Sequence, residues 1–378
     1  NQATNGAIKI DQSITANQIV ISGDKIELSA GLSSNGSGSS LKIGKGVTNF
    51  NGQNLTAATE LTLKKNDAVI QEMPSSEIQV KKLIVSAEAT AFNSAQTEGN
   101  HKASLNDFGI VEKVEQISFE HNNGGLTTSA SANLETDKHA LTTQNITFTG
   151  INKADLQNNT LTASTAQNSF NVTGSKALTA ADIEFTEVAS VVGDDNQGQV
   201  ITGADANLET DKHALTTQNI TFTGINKADL QNNTLTASTA QNSFNVTGSK
   251  ALTAADIDFT EVASVTGNSN QGHVITNADA NLAADKHALT SQNIIFTGIG
   301  SAALGGNKLT ASTEQNSFNV TGSKALTAAD IDFTEVASVT GNSNQGHVIT
   351  NADANLAADK HALTSQNIIF TGIGSAAL

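Results

Sequence analysis

His139, His213, His287 and His361 follow one another at 74-residue intervals, each inside the tetrapeptide KHAL. Imidazole is a frequent metal ligand and the usual general base near neutral pH, so a periodic His series raises metal or proton-transfer chemistry first. Asp205 with Asp211, Asp279 with Asp285, and Asp353 with Asp359 recur at the same interval in the segments ADANLETD and ADANLAAD. Carboxylates paired about a turn are the raw material of a calcium site. The segment GDDNQG at 193–198 has the same look, but its copies at 267–272 and 341–346 read GNSNQG and lose both carboxylates.

What these residues can do depends on the elements that hold them, and those are repeats. Residues 132–183 are identical to 206–257, and 241–304 to 315–378. Each 74-residue unit splits into related halves, marked by Phe148, Phe185, Phe222, Phe259, Phe296, Phe333 and Phe370 at 37-residue spacing. A second series, Phe170, Phe244 and Phe318, keeps only the 74-residue interval. The halves divide again at Leu141, Leu161 and Leu178, 20 and 17 residues apart, which suggests turns of about 18 residues. The last copy stops at GIGSAAL, which reads as a cut through an array.

Short Thr-rich, β-branched stretches such as ITFTGI, FNVTG and IEFTEVASV alternate apolar and polar residues and predict strands. Asn, Asp and Gly clusters between them predict tight turns, while LTAADI and ADANLAADKHAL are compatible with a helical turn. A propeller blade requires about 40 residues and four strands, and an immunoglobulin-like module about 100 residues with a core Trp or Tyr. Neither fits. The pattern predicts an all-β fold, a parallel β-solenoid of about 18 residues per turn with 37- and 74-residue super-repeats. One Phe then fills the same core slot every second turn, a core ladder contributing roughly 1.5–3 kcal/mol per ring. Residues 134–378 form the tandem repeats. Residues 1–133 read as an irregular solenoid region with insertions at 31–44 and 92–109, and Phe119 as a first, irregular member of the Phe series.

In such a solenoid successive His of the 74-residue series lie about 19 Å apart, whereas zinc holds its ligands within about 2.1 Å of one centre. Lys176, Lys250 and Lys324 stand at the half-unit equivalents and cannot replace a metal-bound His. The His position is therefore read as a solvated turn that accepts His or Lys, and His213→Ala and His287→Ala are expected to change little. No metal site is assigned; Asp205, Asp211, Asp279 and Asp285 remain the calcium candidates. Thr-x-Thr ladders of the ice-binding kind are not kept, since TFT at 147 and 221 becomes EFT, DFT or IFT elsewhere.

The 378 residues carry a net charge of −16, with 36 Asp and Glu against 20 basic residues, all of them Lys. That balance disfavours nucleic acid and anionic membranes, and the lack of Arg removes the usual bidentate phosphate reader. The absence of Cys excludes disulfides and thiolate chemistry, and no apolar run reaches the roughly 18 residues of a membrane span. Solenoid lyases and hydrolases gather carboxylates in one cleft beside aromatic platforms. Here carboxylates recur periodically and the chain has no Trp or Tyr, so no enzyme activity, catalytic residue or cofactor is expected.

KKLIVSAEAT at 81–90 and the tandem DIDFTEVASVTGNSNQG units resemble large bacterial secreted exoproteins, the filamentous-haemagglutinin-like and autotransporter-passenger adhesins. The likeness is one of style across most of the chain. It implies a right-handed β-helix, an extracellular or cell-surface location, and a stalk, fibre or coat role in attachment. The alternative is an adhesin whose solenoid face binds a host or neighbouring-cell ligand. The expected partners are copies of itself stacked end to end, or further repeats in a longer chain.

Overall fold

The structure, a computed structural model, describes residues 124–378 continuously; before them it describes the strands, with a few flanking residues, between Ala7 and Asn122. It is a β-solenoid of stacked strands with no α-helix among the described residues. It divides into two compact units, 1–194 and 195–378.

The second unit shows how one repeat is built. Eight strands follow in order: β1 (Ala206–Leu208), β2 (Leu215–Thr217), β3 (Ile220–Thr223), β4 (Ile225–Thr236), β5 (Ser243–Gly248), β6 (Ala251–Ala254), β7 (Ile257–Thr266) and β8 (Gly272–Thr276). β1, β2 and β3 make an antiparallel zigzag, with Leu208 opposite Leu215 and Leu215 opposite Phe222. β5, β6 and β7 make another, with Val246 opposite Leu252 and Leu252 opposite Phe259. The hairpin turns at Gln218–Asn219 and Ala255–Asp256 have φ of 48°, 60°, 50° and 60°. Two successive positive φ values are the mark of a two-residue type I′ turn, whose twist matches that of the strands it joins. LTAADI is thus a hairpin and not a helical turn.

Both long strands bend at a corner. β4 bends at Gln231 and Asn232 (φ 47° and 67°), β7 at Glu261 (φ 50°), and each contributes its halves to different rows of strands. In row A, Val200 lies opposite Ala228, Ala228 opposite Phe259, and Phe244 opposite Val274, all in parallel. In row B, Ala206 lies opposite Leu235, Leu235 opposite Val265, and Val265 opposite Phe296. The first half-unit therefore places its zigzag in row B and the second in row A. After 37 residues the pattern returns on the opposite row, and only after 74 on the same one. This is why identity holds at 74 residues and only similarity at 37.

Two expectations need correction. Parallel partners in the repeats are 27 to 31 residues apart, as in Gly198–Ile225, Val200–Ala228 and Ala228–Phe259, not about 18. The excess is the antiparallel hairpin inserted between them. The 18-residue spacing does occur at the chain start, where Ala7 pairs with Lys25 and Ile14 with Leu32. Nor is the Phe series one ladder. Phe222, Phe296 and Phe370 belong to row B, and Phe259 and Phe333 to row A. A row gains five strands per repeat, so its Phe return about 24 Å apart, too far for rings to stack. The ring contacts run across the core instead, Phe244 to Phe296 and Phe318 to Phe370, each with centroids 6.4 Å apart. All seven rings of the series are at most 1% exposed, so the core assignment itself stands.

Polar side chains inside this core are paired. Thr202 and Thr217 share a hydroxyl hydrogen bond of 3.1 Å, and Thr276 and Ser291 repeat it at 3.1 Å. Leu208 and Leu282 are 4% and 5% exposed beneath the strands that pair with Ala206 and Ala280; Leu356, at the same place in the next copy, is 86% exposed.

In the first unit the strands before residue 80 stack in three parallel columns. One begins Ala7–Ile10, Lys25–Leu28, Val47–Asn49 and ends at Ile70–Gln71; the others begin at Ile14–Ala16 and Gln18–Ser22. The segment 92–109, expected as an insertion, contains Ala91–Ser94 and Lys102–Leu105, which with Gly109–Glu112 form the same antiparallel zigzag as the repeats. Residues 95–101 and 106–108 of it, and 31 and 35–39 of the insertion at 31–44, lie outside the described residues. Ile117, not Phe119, stands opposite Phe148, although Phe119 is buried.

Candidate functional site

The recurring His sits where a turn leads into β2. His213 has φ 57°, and its backbone pairs both ways: its N–H donates to Ala255 O at 2.9 Å, and its carbonyl accepts from Ile225 N at 2.9 Å. The ring adds a third bond, Nδ1 to Ile225 O at 3.0 Å. A carbonyl can only accept, so Nδ1 carries the proton. His139, His287 and His361 repeat the ring bond to Ile151, Ile299 and Ile373 at 2.9 to 3.0 Å. Lys250, the half-unit counterpart, reproduces the backbone part with φ 54°, donating to Gln292 O and accepting from Val262 N. The position accepts His or Lys as expected, because both serve the backbone in a left-handed conformation.

It is not merely a solvated turn, however. His213 is half-buried and closes a bond its neighbours rely on. His213→Ala should cost about 0.5–1.5 kcal/mol by urea unfolding. This is more than the negligible change expected from sequence and well below the loss of a core ring.

Of the calcium candidates, Asp205 and Asp279 each bond a backbone N–H through one carboxylate oxygen. Asp205 Oδ1 accepts the backbone N–H of Thr234 at 2.8 Å, and Asp279 Oδ1 that of Lys308 at 3.0 Å. The turn holding Asp211 is fastened through its carbonyls: Glu209 O accepts from Ser238 Oγ at 2.9 Å and Thr210 O from Gln241 Nε2 at 3.0 Å. In the next copy, with Asp285, Ala283 and Ala284 offer the same carbonyls to Ser312 and Gln315. Among the described residues no three His, Asp or Glu side chains gather into a metal-sized group.

GDDNQG and GNSNQG prove interchangeable for the same reason. Asn242 Nδ2 donates to Asn268 O at 3.1 Å while its Oδ1 accepts from Asn268 N at 2.9 Å. Asn168 grips Asp194 through the same two backbone atoms, both at 3.1 Å. The clamp does not touch the side chain that differs. Beside it, a Cβ on Gly267 would stand 2.3 Å from Gly298 O, and Gly298 itself has φ +66°, so both must be Gly.

At the hairpin turn Lys212 Nζ meets Asp256 Oδ2 at 2.8 Å, and Lys138–Asp182 and Lys286–Asp330 copy this distance. The hydrogen bond from Lys212, with its charge and that of His213, holds the Asp256 carboxyl below its ordinary value. A lowered carboxylate pKa gives stability that is present above about pH 3.9 and lost as pH falls through the lowered value. An NMR titration should find Asp256 titrating below the ordinary carboxylate range, and Lys212→Met should raise it.

Sequence reading passed over His273 and His347. Their Nδ1 atoms lie 2.7 Å from Ser301 Oγ and Ser375 Oγ on the adjacent strand, a pairing visible only once the register is known. Hydroxyl and imidazole at this distance are two parts of a nucleophile–base set. The carboxylate in their column, Asp332, lies beside Ser301 rather than behind His273, and it accepts from Thr327 at 2.9 Å. It does not orient the imidazole. An open groove of about 710 Å³ on row B is lined by Asp279, Asn281, Thr290, Gln292 and Asn307, with Ile295 at its edge.

Compared with known protein families, curated proteins and solved structures, the chain matches none. Fold and side-chain bonding together define a tandem-repeat β-solenoid whose recurring polar residues fasten its own turns.

Proposed function

We propose that this chain is a structural segment of an extracellular or cell-surface protein, forming a stalk, fibre or coat in attachment or surface assembly. One observation carries the reading: the recurring His and the candidates Asp205 and Asp279, with Asn242 beside them, bond the backbone of adjoining turns. Conserving such residues in every copy serves length and stiffness. The resemblance to bacterial exoproteins supports the location, and the chain's partners are further rungs of its own kind, in the same chain or in other copies stacked end to end. Leu208 and Leu282 show how one rung covers the next.

The test is to vary the number of 74-residue repeats in the native surface protein and measure attachment and fibre length together. A stalk shortens in proportion while its attachment persists. If attachment fails on removal of one particular repeat at unchanged surface display, the chain is a ligand-binding adhesin instead, and the groove beside Asp279 is the place to look.

A further inference from the structure

We propose that the outer surface of row B in residues 195–378 is a self-association face, on which a second copy of this chain docks through its own row B about a twofold axis. This goes beyond the stalk reading and does not depend on where the protein resides.

The register shows what the sequence could not. Thr234, Ser264, Ile295, Thr290 and Asn281 stand on adjacent strands in one unbroken column. Thr310, Thr340 and Thr371 continue it. None is charged, in a chain of net charge −16. The neighbouring column Thr236, Thr266, Thr297 is uncharged as well. The charged residues beside this column are Lys308, 3.6 Å from Asp279, Asp205, which accepts from Thr234 N, and Glu209, which accepts from the Thr216 hydroxyl. Row A differs: its outer columns hold Lys227 opposite Asp258, and Ser301 opposite Asp332. Within residues 195–378 the DFT variants that broke the Thr pattern in sequence lie in row A, while row B keeps TFT and IFT.

Two features choose a second copy as the occupant. Ile295 and Ile369 are 52% and 54% exposed where the earlier copy has Thr221. They lie five strands apart, about 24 Å. A twofold axis midway sets Ile295 of one copy near Ile369 of the other, and the reverse, so both apolar anchors are covered by one self-complementary contact. Secondly, the hydroxyls already bond along the rows, Thr234 to Ser264 at 2.9 Å, Thr340 to Thr371 at 3.3 Å and Thr297 to Thr266 at 3.4 Å. Covering them strands few donors, whereas a polysaccharide would need those donors free. The column from Thr234 to Thr371 sets no charge of its own against a twofold mate, whereas the outer columns of row A would set Lys227, Asp258 and Asp332 there.

Sedimentation equilibrium of the full chain tests this. The wild type should form a closed dimer whose dissociation constant is unchanged or lowered by 1 M salt. Ile295→Lys with Ile369→Lys should weaken it at least tenfold with an unaltered melting curve, and Ile295→Thr less. Ile275→Lys with Ile349→Lys, exposed Ile of row A, should leave it intact. A wild type that stays monomeric at millimolar concentration overturns the proposal, as does equal weakening by the row A pair. Open-ended growth untouched by the row B pair also overturns it and leaves end-to-end stacking standing. Monomers depleted from solution by cellulose or chitin would reassign the face to a polysaccharide.

Discussion

Phe259→Ala should destabilise the second unit by about 3–5 kcal/mol, and Phe222→Ala on the opposite row by a similar amount. Both rings are at most 1% exposed and face a core closed from two sides. Phe259 has Leu252 and Ala228 on its flanks, and Phe222 has Leu215. Truncation removes the transfer energy of the ring and leaves a hole that rungs tied by corner clamps and paired strands cannot collapse to fill. Urea unfolding of each variant measures the cost. Equal, small losses for Phe259→Ala and His213→Ala would contradict the division between a hydrophobic core and backbone-serving turns.

The second large effect concerns repeat arithmetic. Deleting 241–314, one 74-residue unit, joins Ala240 to Gln315 and regenerates the native junction, because 315–378 repeats 241–304. That variant should fold with the same cooperativity and a stability lowered only by the missing rungs. Deleting 214–250, one 37-residue half, joins His213 to Ala251 and leaves KHAL intact, so the local sequence still looks native. The zigzag that follows β1 must then lie in row B, and every later half-unit changes row. Val200, built to meet Ala228, is left facing a different strand. Several mismatched core positions at about 2–5 kcal/mol each should leave a broad, early thermal transition. Differential scanning calorimetry of the two deletions compares them directly.

How much of this could be read in the sequence follows from what a linear pattern contains. The spacing of Phe148 through Phe370 marks buried positions, since inward residues recur with the backbone repeat. Which row each occupies is invisible, because rows are set by the corners at Gln231–Asn232 and Glu261, and these are ordinary polar residues in a rare left-handed conformation. The third copy betrays the corner in hindsight: Gly305 and Gly306, with φ 59° and 82°, replace Gln231 and Asn232. Ala255 at φ 50° defeats local reasoning altogether, since Ala favours helices and rarely adopts positive φ. The His bond spans 12 residues, His213 to Ile225, and the Asp205 bond 29, so neither appears in any short window. The Thr column was missed because sequence comparison aligned strands that face opposite ways.

The central claim is that 37-residue half-units alternate between two rows, and cysteine cross-linking tests it most directly in a chain that has no Cys of its own. Lys227 and Asp258 are parallel neighbours 31 residues apart, whereas an 18-residue turn would place Ala240 beside Asp258. Mild oxidation of the folded Lys227→Cys, Asp258→Cys variant should yield an intramolecular disulfide in most molecules, while Ala240→Cys, Asp258→Cys stays reduced. The reverse outcome, a disulfide in the Ala240 pair alone, would contradict the alternating rows.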